Sequence, residues 1–174
     1  MKTRLLIFNL LCFILLFFIP FSLSADMIAL STEELTKLSE NVIMGKVEKT
    51  VAHWSEDGKT ITTSATIQIN NVIRGNLIKK KVIVEYPGGE IGNIGLKVSD
   101  VLSLNAGEDV ILFLARKNLK DDSVYKISGK AQGHYTIDKN GIARKGGFSV
   151  IGNKDIIDNN VPVNTLIDKI RKIK

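Results

Sequence analysis

Polar and hydrophobic residues alternate along much of the chain after residue 40, and this period of two predicts a mainly β protein. The clearest stretch is Thr60–Ile73, where polar residues occupy the even positions from Thr60 to Asn70 and the odd positions are mainly apolar. This pattern predicts a strand that is buried on one face. Val42–Trp54 precedes it as another long strand, and the turn residues Glu56–Lys59 between the two predict a β-hairpin.

Shorter strands are predicted along the rest of the chain. They are Lys81–Tyr86, Asp109–Arg116, Val124–Ser128, Gln132–Ile137 and Ile142–Lys145. The run Val110–Leu114 is apolar at every position, which favours a central strand buried on both faces. The segment 90–99 carries Gly92, Asn93 and Gly95 and is predicted to be an irregular loop.

Two short helices are predicted at the ends of this β-rich region. Ser31 and Glu34 have the spacing of a capping box, which predicts a helix over Thr32–Glu40. Val161–Lys174 is predicted as a second helix with an apolar stripe and a basic C-terminal end. The stripe consists of Leu166, Ile167, Ile170 and Ile173. Several meandering strands flanked by short helices predict a small closed or nearly closed β-barrel, with a β-sandwich as the alternative.

The first residues have the layout of a secretory signal peptide. Lys2 and Arg4 precede the apolar run Leu5–Phe21, and small residues follow it up to Ser24 and Ala25. This order predicts a signal peptide over residues 1–24, cleaved after Ser24 or Ala25, and one domain over residues 25–174. The expected location is secreted or periplasmic. The alternative is an uncleaved signal that stays as a membrane anchor, at the short limit for a span.

Removal of the signal peptide changes the composition of what remains. The formal net charge falls from +6 to +4, and the only cysteine, Cys12, leaves with the apolar run. A disulfide scaffold, a thiol nucleophile and a cysteine-ligated metal are therefore excluded from the predicted mature part. No cofactor and no metal are expected.

Segments of the chain between residues 41 and 137 resemble a known module. These segments are Val42–Val47, Val72–Gly75, Val82–Tyr86, Pro87–Gly92, Gly107–Leu114 and Gly133-His134-Tyr135. In their order they resemble the netrin-like OB-fold module of the tissue inhibitors of metalloproteinases. They resemble more closely a group of uncharacterised exported bacterial proteins with similar segments. The resemblance implies an OB-like (netrin/TIMP-like) β-barrel with a short N-terminal helix and a C-terminal helix.

One feature of the inhibitor family is missing. Those inhibitors chelate the zinc of the protease with an N-terminal cysteine and contain several disulfides. The predicted mature chain has no cysteine, so this inhibitory mechanism does not transfer. The motifs concern turns and strands, and they are specific for fold rather than for function.

The most unusual segment is the glycine-rich stretch 87–95, which contains four glycines and one proline. Glycine permits positive φ and a close approach of the backbone, so this stretch is the candidate binding loop. The candidate binding residues are Gly88, Gly89, Glu90, Gly92 and Asn93. The alternative is a long turn at the rim of a barrel with no binding role.

Other chemistry is weakly represented in the sequence. His53 and His134 would act in a metal or acid–base site only if the fold brought them to Asp57, Glu90 or Glu108, and both are expected on a surface or strand face. No GxSxG motif marks a nucleophilic serine. Nucleic acid is not expected as a partner, because six aromatic residues in the predicted mature chain are too few for a stacking row.

These observations predict an exported, non-enzymatic module that binds a protein or peptide. A protease-inhibitor-like or accessory role is the specific form that the resemblance implies. The alternative is a protein associated with the envelope surface through the basic end of the C-terminal helix or an uncleaved signal anchor. Membrane contact is expected only in that alternative, and an unrecognised hydrolase is the third hypothesis.

Overall fold

The computed structural model describes residues 27–101, 103–118 and 121–174. The predicted signal peptide and its cleavage site at Ser24 and Ala25 lie outside these residues. The described residues are mainly β, as the alternation of polar and apolar positions predicts. The strands are β1 (Met27–Ile28), β2 (Asn41–Trp54), β3 (Ile61–Arg74), β4 (Lys81–Pro87), β5 (Gly89–Ile91), β6 (Ile94–Leu96), β7 (Asp109–Asn118), β8 (Asp121–Ile127), β9 (His134–Ile137), β10 (Ile142–Arg144), β11 (Val150–Ile151) and β12 (Val161–Pro162).

Two α-helices flank the strands, and both begin close to their predicted starts. Helix α1 (Thr32–Lys37) opens with the predicted capping box: Ser31 Oγ accepts from the Glu34 N–H, and the Glu34 carboxylate accepts from the Ser31 N–H. Helix α2 is Val163–Lys172, because Val161–Pro162 pairs with β10 as a strand before the helix begins. Short 3-10 helices cover Lys130–Gly133 and Lys154–Ile156.

Most strands belong to one eight-stranded sheet with the order β12-β10-β9-β7-β2-β3-β4-β8. Strand β8 runs parallel to β4 and also pairs antiparallel with β7. Each of β2, β3, β4, β7 and β8 therefore pairs with two of the other four strands. Strands β1 and β11 form a separate parallel pair, and β5 and β6 form a separate hairpin.

Strand β7 separates two hydrophobic cores, as the apolar run Val110–Leu114 predicts. Val110, Leu112 and Leu114 belong to one core, which also contains residues of β2, β3, β4 and β8. Ile111 and Phe113 belong to the other, together with Leu35 of α1 and three residues of the predicted stripe, Leu166, Ile167 and Ile170 of α2. The fourth, Ile173, follows the end of α2 and is only partly buried. All five residues of the run are completely buried, so β7 is the central strand of the fold.

One prediction of local structure is wrong. Residues 90–99 are not an irregular loop throughout, because β5 and β6 pair through Gly89 with Leu96, Glu90 with Gly95 and Ile91 with Ile94. The three-residue strands are too short to give a clear alternation of polar and apolar residues, so their pattern does not stand out from a loop.

Candidate functional site

The glycine-rich stretch forms the β5–β6 hairpin, and two hydrogen bonds hold its base against β3. The Gly88 N–H donates to the Ile61 carbonyl at 2.9 Å, and Thr63 Oγ1 donates to the Gly88 carbonyl at 2.6 Å. Gly92 and Asn93 form the turn at the far end, with φ of +59° at Gly92. The hairpin is therefore fixed at its base and exposed at its tip.

The backbone at the base of the hairpin requires glycine. Gly88 and Gly89 have φ of +106° and +131°, which residues with a side chain rarely adopt. A Cβ atom on Gly89 would lie 2.4 Å from Thr63 Oγ1 and 3.0 Å from the Ala52 Cβ. Glycine at this position lets the hairpin pack directly on β2 and β3.

A cleft of about 830 Å³, here called the hairpin cleft, lies beside this hairpin. One wall is formed by Thr50 and Ala52 of β2, and the hairpin forms another. The complete lining is Thr50, Ala52, Thr63, Tyr86, Pro87, Gly88, Gly89, Glu90, Gly95, Leu96, Lys97, Val98, Val101, Ser103, Leu104 and Asn105. The cleft is therefore built by two segments that are close in sequence and by residues of two other strands, β2 and β3.

Tyr86 fixes the loop side of the hairpin cleft. Its hydroxyl accepts from the Leu104 N–H at 3.1 Å, and both residues are buried. Burial raises the pKa of Tyr86 above its usual value, although hydrogen bonds with Leu104 and Thr63 oppose the change. The tyrosine therefore stays neutral and holds the loop in place as a structural group.

The structure divides the predicted binding residues into two groups. Gly88, Gly89 and Glu90 line the hairpin cleft, whereas Gly92 and Asn93 lie at the tip of the hairpin and do not line it. The sequence analysis missed the β2 wall, Thr63 and the loop 97–105. Only the tertiary pairing brings these segments to the glycines, and no local pattern marks them.

His53 belongs to a different surface, where it joins neither Asp57, Glu90 nor Glu108 in an acid–base pair. Its Nε2 lies 2.9 Å from Ser64 Oγ, and its Nδ1 lies 3.0 Å from the carbonyl oxygen of the next residue, Trp54. Ser64 Oγ donates to Glu85 Oε1 at 2.9 Å. His53 is exposed, as predicted, and lines a second cleft of about 750 Å³.

The hydrogen-bond partners of Glu85 determine its protonation state in the network of His53, Ser64 and Glu85. Burial raises the pKa of Glu85, but the hydrogen bonds from Lys117 and Ser64 outweigh burial and hold the pKa below its usual value. Glu85 is therefore ionised, and the Ser64 hydroxyl donates its proton to this carboxylate in a charge-assisted hydrogen bond. The arrangement is a surface hydrogen-bond network and not an activated serine nucleophile.

Ser123 and Lys126 have the SxxK spacing of some serine hydrolases. They lie three residues apart in β8, and side chains three positions apart in a strand point to opposite faces. The strand geometry therefore separates the two groups that such a mechanism would need together.

His134 lies in β9, which agrees with the strand-face alternative of the sequence analysis, and its side chain is buried. Its exposed fraction is 3%, and neither ring nitrogen has a hydrogen-bond partner in the described part of the chain. Burial lowers the pKa of His134 to about 4, because the apolar surroundings disfavour the imidazolium, and Lys145 lowers it further while Glu108 opposes the change. His134 is neutral at pH 7.

A buried polar cluster surrounds Lys145 and Tyr135. The Lys145 ammonium donates to the Gln132 carbonyl and lies 4.4 Å from the centre of the Tyr135 ring. The Tyr135 hydroxyl donates to the Asp158 carbonyl at 3.0 Å, and Thr32 Oγ1 donates to Asp158 Oδ2 at 2.5 Å. Burial lowers the pKa of Lys145 to about 7, with the Asp158 carboxylate opposing the change. The cluster joins α1 to the C-terminal third of the chain.

Two further structural findings bear on possible ligands. Within residues 27–101, 103–118 and 121–174, no group of three or more histidine, aspartate, glutamate or cysteine side chains could hold a metal ion. In the same ranges, no helix combines the length and the apolar character needed to cross a membrane.

No protein-family model matches this chain, and none of the curated proteins matches it significantly. The candidate function therefore rests on the geometry and chemistry of the hairpin cleft.

Proposed function

We propose that the protein is an exported, non-enzymatic binding module that contacts a protein or peptide through the hairpin cleft. The observation that carries this proposal is the cleft itself, with a volume of about 830 Å³ and a glycine-rich wall held rigidly against β3. A pocket of this size that is largely formed in advance is the usual form of a binding site.

The chemistry of the cleft supports binding rather than catalysis. Among the residues that line it, only Glu90 and Lys97 carry a formal charge at pH 7, and both are exposed. The other lining residues offer backbone groups, hydroxyls and small apolar side chains. General acid–base or nucleophilic catalysis needs titratable or activated groups in the site, and this lining offers none of the usual combinations.

We assign the five strands β2, β3, β4, β7 and β8 to a closed, OB-like barrel. Their cyclic pairing supports this assignment, since the last strand returns to lie between the third and the fourth. Five strands in a Greek-key barrel are the arrangement of the OB fold. The netrin-like and TIMP-like resemblance supports the same assignment. The specific function that this resemblance implies is a protease-inhibitor-like or accessory role.

Paired variants of the β5–β6 hairpin test the proposed site. Glu90 lines the cleft and Asn93 does not, and both side chains are exposed. We expect Glu90→Ala combined with Leu96→Ala to weaken binding to the native partner about tenfold or more, since truncating the side chains that dominate an interface costs more than about 1 kcal/mol each. Asn93→Ala is the matched control and should bind as the wild type does.

The measurement is a binding titration against the partner captured from the organism's own exported fraction. The melting temperature of each variant is recorded beside it, so that lost binding is not mistaken for lost folding. Unchanged affinity in the Glu90 and Leu96 double variant, with full stability, would remove the cleft from the proposal.

A charge reversal at the other end of the molecule tests the alternative of envelope association. Lys172 and Lys174 are exposed at the basic end of α2. Lys172→Glu with Lys174→Glu should leave partner binding unchanged if the hairpin cleft is the site. Loss of envelope association in this variant, with normal partner binding, would favour the alternative.

A further inference from the structure

The outer edge of β2 is covered by β7 along only part of its length. Strand β7 pairs with Asn41–Lys46, and at Val47 the pairing ends in two hydrogen bonds. The Val47 N–H donates to the Glu108 carbonyl, and the Gly107 N–H donates to the Val47 carbonyl, each at 2.8 Å. Beyond this point β2 continues to Trp54, paired with β3 on its other edge.

The hydrogen-bond alternation of an antiparallel pair shows which groups face the outer edge. The Ser55 N–H donates to the Thr60 carbonyl at 2.8 Å, which makes residues 55 and 60 a hydrogen-bonded pair. Hydrogen-bonded pairs alternate with non-bonded pairs, so Val51 and His53 bond to β3. The N–H and C=O groups of Thr50 and Ala52 therefore point away from β3, and no hydrogen bond to them is found within the described ranges.

Thr50 and Ala52, the residues that carry these groups, form one wall of the hairpin cleft. Gly88, Gly89 and Gly95 line the same cleft without side chains, which leaves room for another polypeptide backbone. Thr50 and Ala52 are two residues apart, which corresponds to about 7 Å along a strand. The hydrogen-bonding groups on one edge of an added strand repeat at the same spacing.

From Thr50 to Ala52 this edge carries no charged side chain, and the protective features, Lys49 and a β-bulge between Val47 and Lys49, lie before this stretch. Exposed edges are commonly protected by lysine, proline or an inward charge. Thr50, Val51 and Ala52 are uncharged, and the Val51 side chain is 53% exposed. The edge is therefore chemically open to strand addition at the place where the cleft gives access.

We propose that the hairpin cleft receives an extended segment of a partner polypeptide as an added β-strand, hydrogen-bonded to the main chain of Thr50 and Ala52. This inference rests on the proposed function and names the ligand class for the same cleft. Recognition through the main chain selects an extended, unpaired segment and depends only weakly on its side chains.

Amide hydrogen exchange in the free protein tests the first step of this inference. The amides of Thr50 and Ala52 should exchange at least tenfold faster than those of Val51 and His53, because only the latter bond to β3. Equal protection of both pairs would overturn the inference. Protection of Thr50 and Ala52 that rises with protein concentration would also overturn it, because a second copy would then cover the edge.

A tethered peptide tests the pairing itself. The probe is a nonapeptide of alternating threonine and valine with a terminal cysteine, joined by a disulfide to Lys97→Cys in the full chain carrying Cys12→Ser. Tethering raises the effective concentration, so weak pairing is detected. Exchange of the Thr50 and Ala52 amides should slow at least tenfold, and no slowing would overturn the inference.

Two N-methylated forms of the same peptide provide the control. One is methylated at the odd residues and the other at the even residues. Because the N–H groups of alternate residues point to the same edge of an extended peptide, each form loses the N–H donors along one edge of the peptide only. One form should protect Thr50 and Ala52 and the other should not, since the tether fixes which edge faces β2. Equal protection by both forms would show side-chain binding and overturn strand addition. The Glu90 and Leu96 variants can still lose partner binding in that case, so the two proposals fail separately.

Discussion

The Gly89→Ala variant is expected to lose about 3 kcal/mol of unfolding free energy, since a strained φ costs about 1–3 kcal/mol and overpacking a similar amount. The φ of Gly89 is +131°, and an added Cβ would lie 2.4 Å from Thr63 Oγ1. Thr63 cannot move away freely, because its hydroxyl donates to the Gly88 carbonyl. The clash therefore loosens the base of the hairpin and the wall of the cleft.

Gly92→Ala in the same hairpin is the matched control. Gly92 has φ of +59°, but nothing lies within 4 Å of the position of its Cβ. The variant should lose only about 1 kcal/mol, the cost of the left-handed conformation alone. Urea unfolding of the two variants measures the difference, and equal losses would show that packing at Gly89 contributes nothing.

Acidification from pH 6.5 to pH 4 is expected to reduce the stability of the wild type through His134. The pKa of this residue is about 4 in the folded state against 6.5 for the model imidazole. In this window the unfolded chain holds one more proton than the folded chain, so a fall in pH favours unfolding. The full stabilisation due to His134 is present above pH 6.5. It amounts to about 3 kcal/mol of unfolding free energy, because each unit of difference between the two pKa values corresponds to about 1.36 kcal/mol.

The variant His134→Leu should lose this pH dependence, whereas His53→Ala should keep it because His53 is exposed. Lys145 does not disturb the comparison, since its pKa of about 7 leaves it charged in both states below pH 6. The measurement is the urea midpoint of each protein at several pH values between 6 and 4. The same slope in His134→Leu and in the wild type would contradict the assignment.

Local patterns predict the features of this fold that depend on local physics. The capping box at Ser31 and Glu34 involves hydrogen bonds within one helical turn, so the sequence alone indicates the start of α1. The apolar run Val110–Leu114 likewise predicts a strand between two cores, because only burial on both faces explains five apolar residues in succession.

The features that depend on tertiary pairing are the ones that the sequence does not reveal. The need for glycine at position 89 comes from Thr63 and Ala52, which are distant in sequence. The burial of His134 depends on its place at the start of β9, beside the central strand β7. The glycine-rich stretch stands out in the sequence, but only the fold separates the residues at the cleft from those at the tip.

The parallel pairing of β1 with β11 has a consequence for the order of events during synthesis. Met27 and Ile28 leave the ribosome early, whereas their partners Val150 and Ile151 leave more than a hundred residues later. The Gln132 side chain holds the same early segment through the Leu30 N–H and the Ile28 carbonyl. Contacts this far apart in sequence form late, because closing a long loop is entropically unfavourable. The first described strand of the nascent chain therefore pairs with its partner only after the last quarter of the chain has been made.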